Sequence, residues 1–362
     1  MVSSPAVRDV VVVGAGQAGL AMGRLLANAG ADFVLLDAND RIGDSWRNRY
    51  LGLTLFTPRR YSALAGMAME GDPDGYPDKD EFGDYLEAFA RRHGMPVIGG
   101  ATVTSVVRKP DGGFAVSGDG FETIHAATIV VACGAFKDPV VPRWANGLEI
   151  PHIAAEAFGN GTATPNDPLL IVGDGASGRD IAAIAVGRRK VVLATGRPRR
   201  LLPECIFGRS LWWWLDVTGL VRASGASVFG RFMRKTDPFP DRNRSLRALD
   251  AMGVEIKGRA VGAEENMVFF DDGTFVRPGG IVWALGYKPD WSFLSIWEAF
   301  DPPGKLLHDQ GVSPVPGLFF LGLPWQSNRA SGLVMGVSDD AAHLMRTLGS
   351  YLETKNRRPS TT

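Results

Sequence analysis

The sequence contains two glycine-rich turns, each placed between a short apolar strand and the start of a helix. The first lies in "VVVVGAGQAGLA" (residues 10–21) and the second in "PLLIVGDGASGRDIA" (residues 168–182). Both have the spacing G-x-G-x-x-G in the strand–turn–helix context that dinucleotide-binding turns require. In such a turn the first glycine bends the chain, the second admits a pyrophosphate and the third lets the helix pack on the strand. The sequence therefore predicts two bound dinucleotides.

The segments that follow the two turns repeat the same order of elements. Each turn leads into a helix, a second strand, a hairpin and a closing apolar strand, which ends at Gly134 in the first half and at Gly286 in the second. This duplication predicts an α/β fold with two Rossmann-like dinucleotide-binding domains, each with a three-layer sheet–helix arrangement and a β-hairpin insertion. We expect the first domain at residues 1–146 and 281–362, and the second at 147–280 with a helical insertion at about 201–245.

The residues that follow the second strand of each half differ in charge. Asp37 lies 23 residues after Gly14, where a carboxylate accepts hydrogen bonds from a ribose and repels a 2′-phosphate. Arg197 lies 24 residues after Gly173, with Arg199 and Arg200 beside it. Because arginine grips phosphate with paired hydrogen bonds, the second turn is predicted to bind NADPH. The first turn is then predicted to bind FAD, which has an adenosine with a free ribose and a redox-active ring that can accept the hydride. The alternative for the arginines is a solvated surface cluster.

Composition excludes several classes of protein. The 39 basic and 39 acidic residues cancel, which argues against nucleic acid or an anionic membrane as a partner. No stretch reaches the roughly 20 apolar residues of a membrane span, and the N-terminus lacks an apolar signal core. The two cysteines, Cys133 and Cys205, form no C-x-x-C and are expected to be reduced thiols of a cytoplasmic protein. The sequence is compatible with a homo-oligomer.

Over nearly its whole length the sequence resembles the class B flavin-dependent monooxygenases, especially the short bacterial members. "DRIGDSWRNRY" resembles their G-G-x-W segment, "GDGASG" their NADPH turn, and "WALGYKPD" their A-T-G-Y segment. "PGLFFLGLPWQ" and "SGLVMGVSDDAAHL" resemble the returning flavin segment and the final helix. The linker signature F-x-G-x-x-x-H is degenerate here: His152 matches its histidine, but Asn146 and Leu148 replace its Phe and Gly.

The turns and the resemblance together imply a set of cofactor contacts. Those for FAD are Gly14, Gly16, Gln17, Ala18, Gly19, Asp37, Ser45, Trp46, Thr57, Val103, Cys133, Gly134, Gly322 and Gly336. Those for NADPH are Gly173, Gly175, Ala176, Ser177, Gly178, Arg197, Arg199 and Gly286. Candidates for the substrate pocket are Trp212, Trp325 and Gln326; the alternative for Trp212 and its two neighbouring tryptophans is a helix that covers the domain interface.

The resemblance implies an NADPH-dependent FAD monooxygenase. Such an enzyme inserts one oxygen atom of O2 into a small organic substrate, at sulfur, nitrogen or a ketone, through a C4a-(hydro)peroxyflavin. The flavin carries this chemistry, so no catalytic general base is assigned. The five histidines show no metal-ligand spacing, and no metal is expected.

Two other functions remain open at this stage. One is an NADPH-dependent flavoprotein reductase of the quinone or ferredoxin type, without oxygenation. The missing C-x-x-C weighs against reduction of disulfides. The other is a non-catalytic module that senses nucleotides or regulates ion transport, which two distinct turns and a returning flavin segment disfavour.

Overall fold

The computed structural model describes residues 7–110, 112–159, 167–236 and 238–356. Its strands are β1 (Val7–Val13), β2 (Phe33–Leu36), β3 (Val97–Ile98), β4 (Thr102–Arg108), β5 (Phe114–Asp119), β6 (Ile124–Val131), β7 (Asp138–Pro139), β8 (His152–Ala154), β9 (Leu169–Val172), β10 (Val191–Ala194), β11 (Leu201–Leu202), β12 (Cys205–Ile206), β13 (Arg209–Ser210), β14 (Phe239–Pro240), β15 (Glu255–Lys257), β16 (Ala260–Glu264), β17 (Met267–Phe270), β18 (Phe275–Val276), β19 (Gly280–Trp283), β20 (Tyr287–Lys288) and β21 (Leu318–Phe320). Its α-helices are α1 (Gln17–Asn28), α2 (Asp44–Arg47), α3 (Lys79–Arg92), α4 (Ala176–Ala185), α5 (Leu211–Val217), α6 (Val228–Thr236), α7 (Leu246–Ala251) and α8 (Val334–Asn356). Single 3₁₀ turns lie at Arg59–Tyr61, Arg143–Ala145, Ala155–Ala157, Leu220–Arg222, Trp297–Ala299 and Arg329–Gly332.

The first sheet has the order β3-β2-β1-β6-β5-β4, and β21 also pairs with β6. Strands β1, β2, β3, β6 and β21 run parallel, while β4 and β5 form the antiparallel hairpin. The run Val10–Val13 is buried because apolar clusters cover both faces of the sheet, as a parallel sheet requires. Strands β2 and β6 lie on opposite sides of β1, so a crevice opens at its carboxyl end, where the first turn begins.

The second sheet has the order β15-β10-β9-β19-β8, and all its strands are parallel. Strand β9 leads into the second turn and α4. A separate antiparallel sheet, β16-β17-β18, supplies the hairpin of this half. The predicted domain boundary at residues 280/281 falls inside β19, which pairs with both β9 and β8, so the second sheet continues to Trp283. The predicted α/β class with two Rossmann-like units is confirmed.

The chain crosses between the two sheets at two places that lie side by side. Strand β7 lies on the connection from the first sheet to the second, and β20 lies on the connection back to the first. The two strands pair antiparallel through Tyr287–Pro139 and Lys288–Asp138. The expected helical insertion at about 201–245 holds α5, α6 and the short strand pairs β11–β14 and β12–β13. Among the described residues, no helix combines the length and apolar character that crossing a membrane would need.

Candidate functional site

The first glycine of each turn is required by its contact with the strand that closes the half. Gly14 and Gly173 have φ values of +104° and +110°, which residues with a side chain rarely adopt. A Cβ on Gly14 would lie 2.7 Å from the carbonyl oxygen of Ala132, and one on Gly173 would lie 2.5 Å from that of Ala284. The two turns are therefore the same structural unit used twice.

The third and second glycines have different surroundings. A Cβ on Gly19 or Gly178 would lie 1.9 Å from the carbonyl oxygen of the first glycine in the same turn, so packing alone demands glycine there. A Cβ on Gly16 would meet nothing within 4 Å, and one on Gly175 would meet only Arg199 Nη2, at 3.9 Å, among the residues that the structure describes. The second glycines thus face open space in which a pyrophosphate fits.

Both turns end in helix N-termini without a side-chain cap. Helix α1 follows Gly16 and α4 follows Gly175, and neither has a capping side chain or an acidic residue in its first turn. By contrast, Asp78 caps α3 and Ser210 caps α5. Free N–H groups and the positive end of the helix dipole attract phosphate, so α1 and α4 are suited to an anionic ligand.

Asp37 stands at the rim of the first turn. Its Oδ2 accepts a hydrogen bond of 2.6 Å from the backbone N–H of Ala15. Its Oδ1 accepts hydrogen bonds from the backbone and side-chain nitrogens of Asn39, at 2.9 and 2.8 Å. The carboxylate is half-buried and firmly oriented, and Oδ2 keeps one lone pair for a ligand hydroxyl.

Trp46 joins the first turn through a side-chain contact. Its Nε1 donates to Gln17 Oε1 at 3.1 Å, and its ring packs edge-on against Phe82 with centroids 4.8 Å apart. The structure thus brings together two predicted residues, Gln17 and Trp46, that lie 29 positions apart. Ser45 precedes Trp46 in α2 and is exposed to solvent.

Thr57 has its hydroxyl oriented by Ser62. The Ser62 hydroxyl donates to the Thr57 carbonyl at 2.9 Å, so its oxygen can only accept from Thr57 Oγ1, at 2.7 Å. The Thr57 hydroxyl therefore keeps acceptor capacity only.

Cys133 and Gly134 follow β6, and a Cβ on Gly14 would lie 2.8 Å from the Cα of Cys133. Cys133 is exposed to solvent as a residue, but the protein packed around its sulfur raises the pKa of the thiol to about 11, so the thiol is protonated at neutral pH.

Three further predicted flavin contacts lie on other elements. Gly322, after β21, reaches the first turn: its Cβ would lie 2.9 Å from that of Ala18. Gly336 needs to be glycine for internal packing, since a Cβ there would lie 2.4 Å from the backbone of Ala330. Val103 is half-buried in β4 at a register shift against β5.

The second turn contains a buried ion pair that the sequence analysis missed. Asp174 Oδ2 accepts from Arg179 Nη2 at 2.9 Å, and Asp174 Oδ1 accepts from the backbone N–H of Gly196 at 3.0 Å. Arg179 Nε also donates to the Asp174 carbonyl at 2.8 Å. Both side chains are nearly inaccessible, at 3% and 4% exposure. The sequence offered one signal for this ion pair: an acidic residue between the first two glycines of the turn, followed five residues later by an arginine.

The three arginines after β10 are placed differently from one another. Arg199 is half-buried and approaches Gly175, whereas Arg197 is exposed. The guanidinium of Arg200 lies 5.8 Å from the ring centroid of Phe232. Arg199 is thus the member of the group that borders the second turn.

The remaining predicted NADPH contacts surround the same turn. Ala176 and Ser177 form the first turn of α4. Gly286, with a φ of +88°, comes shortly after β19.

Trp212 is buried at the contact between the insertion and the first domain. It is 5% exposed, its Nε1 donates to the Phe56 carbonyl at 2.5 Å, and its ring stacks on that of Phe56 at 5.9 Å. Trp214 points elsewhere, since its Nε1 donates to the Ile206 carbonyl. The neighbouring tryptophans therefore do not share one pocket.

The two other pocket candidates lie on the loop after β21. Trp325 has a φ of +61° and lies under the guanidinium of Arg234, 5.0 Å from its ring centroid. Gln326 is 5% exposed; its amide accepts from Leu323 N at 3.3 Å and donates to the Gln310 carbonyl at 3.2 Å. The side-chain amide of Gln326 thus stabilises the loop through hydrogen bonds to the backbone.

Several other groups bear on the chemistry. His152 lies in β8, is exposed, and packs edge-on against Trp283. Within the described ranges, no cluster of histidine, cysteine and acidic side chains could hold a metal ion. Cys133 and Cys205 are both free thiols.

Comparison with known proteins agrees with this geometry. The sequence profile of the family described as "Pyridine nucleotide-disulphide oxidoreductase" matches residues 11–200. A Geobacillus kaustophilus protein named "Uncharacterized oxidoreductase CzcO-like" is 38% identical over 94% of this chain and 98% of its own length. The rice protein "Indole-3-pyruvate monooxygenase YUCCA1" is 27% identical over 97% of this chain and 94% of its own.

A solved structure has the same fold. It is the flavin-containing monooxygenase from Stenotrophomonas maltophilia, with a TM-score of 0.76 and 23% identity, covering 95% of this chain and 98% of that one. The resemblance found in the sequence is thus confirmed at the level of the fold. Since the family profile covers more than half of the chain and a 38% identical relative spans nearly all of it, the protein belongs to the pyridine nucleotide–disulphide oxidoreductase family.

Proposed function

We propose that the protein is an NADPH-dependent FAD monooxygenase that transfers one oxygen atom of O2 to a small organic substrate, at a heteroatom or a ketone. The observation that carries the proposal is the pairing of two open, uncapped dinucleotide turns in one chain, with a carboxylate bordering one and a guanidinium the other. A hydride donor and a hydride acceptor can then be bound together. The shared fold and the monooxygenase names of relatives support oxygenation.

FAD fits the first turn. The open space at Gly16 and the uncapped N-terminus of α1 suit its pyrophosphate. Asp37, oriented by Ala15 and Asn39, can accept from a free ribose hydroxyl of its adenosine. Trp46 and Gln17 brace the beginning of α1 against α2.

NADPH fits the second turn. The open space at Gly175 and the uncapped N-terminus of α4 suit a second pyrophosphate. Gly196 occupies the position that Asp37 has in the first half. Its N–H donates to the carboxylate of Asp174, and Arg179 neutralises the charge of that carboxylate. The end of β10 beside the second turn therefore carries no uncompensated negative charge. Arg199 and Arg197 can then bind a 2′-phosphate there.

The protein's own task is to bind, orient and shield. When bound, FAD supplies the redox chemistry by accepting a hydride from NADPH and passing on an oxygen atom of O2. Trp212 packs the insertion onto Phe56, beside the flavin-binding segment at Thr57, and so closes this side against water. The thiols of Cys133 and Cys205 fit a reducing compartment, and we place the enzyme in the cytoplasm.

A flavoprotein reductase of the quinone or ferredoxin type is the alternative. It needs the same two cofactors and differs in the fate of the electrons. Among the described residues the two thiols are unbonded, and the raised pKa of Cys133 keeps it protonated, which makes it a poor nucleophile toward disulfides.

The deciding experiment uses the FAD-loaded protein and a panel of thioethers, amines and ketones. A substrate should stimulate NADPH oxidation and yield a product that contains one atom of isotopically labelled O2. Quinone reduction without any oxygenated product would favour the reductase. A colourless protein that cannot be loaded with FAD would exclude both.

A further inference from the structure

Residues 50–56, which we call the docking strap, join the two domains by contacts along nearly their whole length. Leu51 N donates to the Phe158 carbonyl at 2.9 Å, and Gly52 approaches Ile184 of α4 so closely that a Cβ would lie 2.9 Å from its Cδ1. The Thr54 carbonyl accepts from Arg242 Nη1 at 3.1 Å. The strap thus lies against the second domain.

The same strap is tied to the first domain by alternate residues. Leu55 N donates to the Pro77 carbonyl at 2.9 Å, and the Leu53 carbonyl accepts from Lys79 N at 3.1 Å. Leu55 is buried in the core that contains α1 and α8, while Leu53 packs against the cores of both domains. Because Trp46, four residues before the strap, donates to Gln17 at the first turn, a shift of the strap would be passed on to that turn.

Tyr50 makes the contact that reaches the second turn. Its side chain is 5% exposed among the apolar residues of the second domain, and its hydroxyl donates to Asp180 Oδ2 at 3.1 Å. Asp180 lies in α4 one helical turn after Ser177, so Tyr50 contacts the helix that begins at the second turn. Burial and the neighbouring Asp180 charge raise the pKa of Tyr50, so this hydroxyl remains a donor.

Asp180 also lies close to two arginines, Arg242 and Arg244, from a segment with an unusual backbone conformation. Arg242 and Asn243 both have positive φ, at 50° and 57°, a conformation that costs free energy in consecutive residues other than glycine. It lets Arg242 Nη1 approach Asp180 Oδ2 to 3.7 Å and Arg244 Nε approach Oδ1 to 3.4 Å. The Arg244 carbonyl in turn accepts from Arg179 at 2.9 Å, which links this cluster to the ion pair of the second turn.

We propose that the docking strap sets the separation of the two nucleotide sites, and that Tyr50, through Asp180, is the positioning residue that aligns the second turn with the flavin. This inference rests on the proposed function. Hydride transfer moves two electrons and a proton from the nicotinamide to the flavin, leaving NADP+ and reduced flavin. The rate of this step depends steeply on the distance between donor and acceptor, so misplacement by about 1 Å can slow it by up to roughly a hundredfold.

The test compares Tyr50→Phe with Tyr85→Phe in the FAD-loaded protein. Tyr85 is a matched control: it is 7% exposed, and its hydroxyl accepts from Leu64 N and donates to the Met67 carbonyl, both within the first domain. The measured quantities are the rate constant for anaerobic flavin reduction at saturating NADPH and the affinity for NADP+. The absorbance of the charge-transfer complex between reduced flavin and NADP+ is measured as well, and reduction by dithionite controls for an intact flavin site.

Tyr50→Phe should slow reduction by NADPH roughly tenfold or more and weaken the charge-transfer absorbance, with NADP+ affinity nearly unchanged. Tyr85→Phe should leave all three at the wild-type level. Arg242→Met removes the hydrogen-bond donor to the Thr54 carbonyl and should reproduce the Tyr50→Phe result. It replaces Tyr50→Phe in the test if that variant does not fold.

Equal rates in the Tyr50 and Tyr85 variants, or a loss confined to NADP+ affinity, would overturn the inference and leave the proposed function standing. A wild-type protein that NADPH cannot reduce would overturn the proposed function and the inference with it.

Discussion

The carboxylate of Asp37 and the backbone N–H of Ala15 are joined by a hydrogen bond of 2.6 Å, which fastens the end of β2 to the first turn. In the second turn, the positions of the donor and the acceptor of this hydrogen bond are exchanged. There the acid, Asp174, occupies the place of Ala15, and the N–H donor belongs to Gly196, in the place of Asp37, at 3.0 Å. The negative charge has moved from the strand end into the turn, where Arg179 neutralises it. In the proposed function, this exchange separates the turn expected to bind a free ribose from the turn expected to bind a 2′-phosphate.

Asp37→Asn tests the first rim. The variant keeps the shape of the side chain but loses its charge and the acceptor pattern for a ribose. We expect FAD affinity to fall by about 10–150-fold, the equivalent of a lost charge-assisted contact. Fluorescence titration of the FAD-free protein measures it. Asp32→Asn is the control, because Asp32 is exposed and pairs with Arg8 on the same sheet, at the opposite strand end. Equal losses in the two variants would contradict the assignment.

Arg197→Ala and Arg199→Ala test the second rim. Each should raise the Michaelis constant for NADPH by about 10–150-fold and change that for NADH far less, since only NADPH has the 2′-phosphate. The position of Arg199 beside Gly175 predicts that its variant has the larger effect. Arg108→Ala, at the exposed end of β4, is the control. A uniform effect on both nucleotides would show that these arginines do not select NADPH.

Gly16→Ala and Gly19→Ala should separate ligand binding from folding. Alanine at position 19 places Cβ 1.9 Å from the Gly14 carbonyl oxygen, so we expect the FAD-free protein to lose at least about 1–3 kcal/mol of unfolding free energy. Alanine at position 16 meets no described atom within 4 Å and should fold nearly normally while losing FAD affinity. Denaturant unfolding and FAD titration measure the two effects. Normal FAD binding by Gly16→Ala would argue against a pyrophosphate at this turn.

Asp340 should make stability depend on pH. It is 3% exposed, its Oδ2 has no hydrogen-bond partner in the part of the chain that the structure describes, and burial raises the pKa of its carboxyl. Since the folded state then binds the proton more tightly than the unfolded state, this group adds stability as pH falls through its folded pKa, and the gain is complete below the unfolded pKa. Each unit of pKa elevation contributes about 1.4 kcal/mol.

Unfolding measured between pH 7 and pH 4 should therefore show wild-type protein gaining stability relative to Asp340→Asn as the pH falls. Asp339→Asn is the control, because Asp339 is exposed and pairs with Arg222. Parallel pH profiles for wild type and Asp340→Asn would refute the shift.

Much of the fold could be read from the sequence because it depends on local chemistry. The glycine spacings fix two turns through positive φ and close backbone contacts within a few residues. The buried valines of β1 and the apolar runs of β9 and β19 predict parallel strands. The offset from Gly14 to Asp37 follows from the length of one strand–helix–strand unit, so the position of Asp37 near the first turn was predictable too.

The contacts that join distant segments were decided only by the tertiary structure. The sequence placed a domain boundary inside β19, since a strand does not reveal which sheet it joins. It favoured Arg197, at the offset that matches Asp37, whereas the arginine found to border Gly175 in the described part of the chain is Arg199. Nothing in it linked Tyr50 to Asp180, 130 positions away. Local sterics and periodicity determine turns, strands and their order; the partners of a buried side chain depend on how two finished domains pack, which no short stretch of sequence contains.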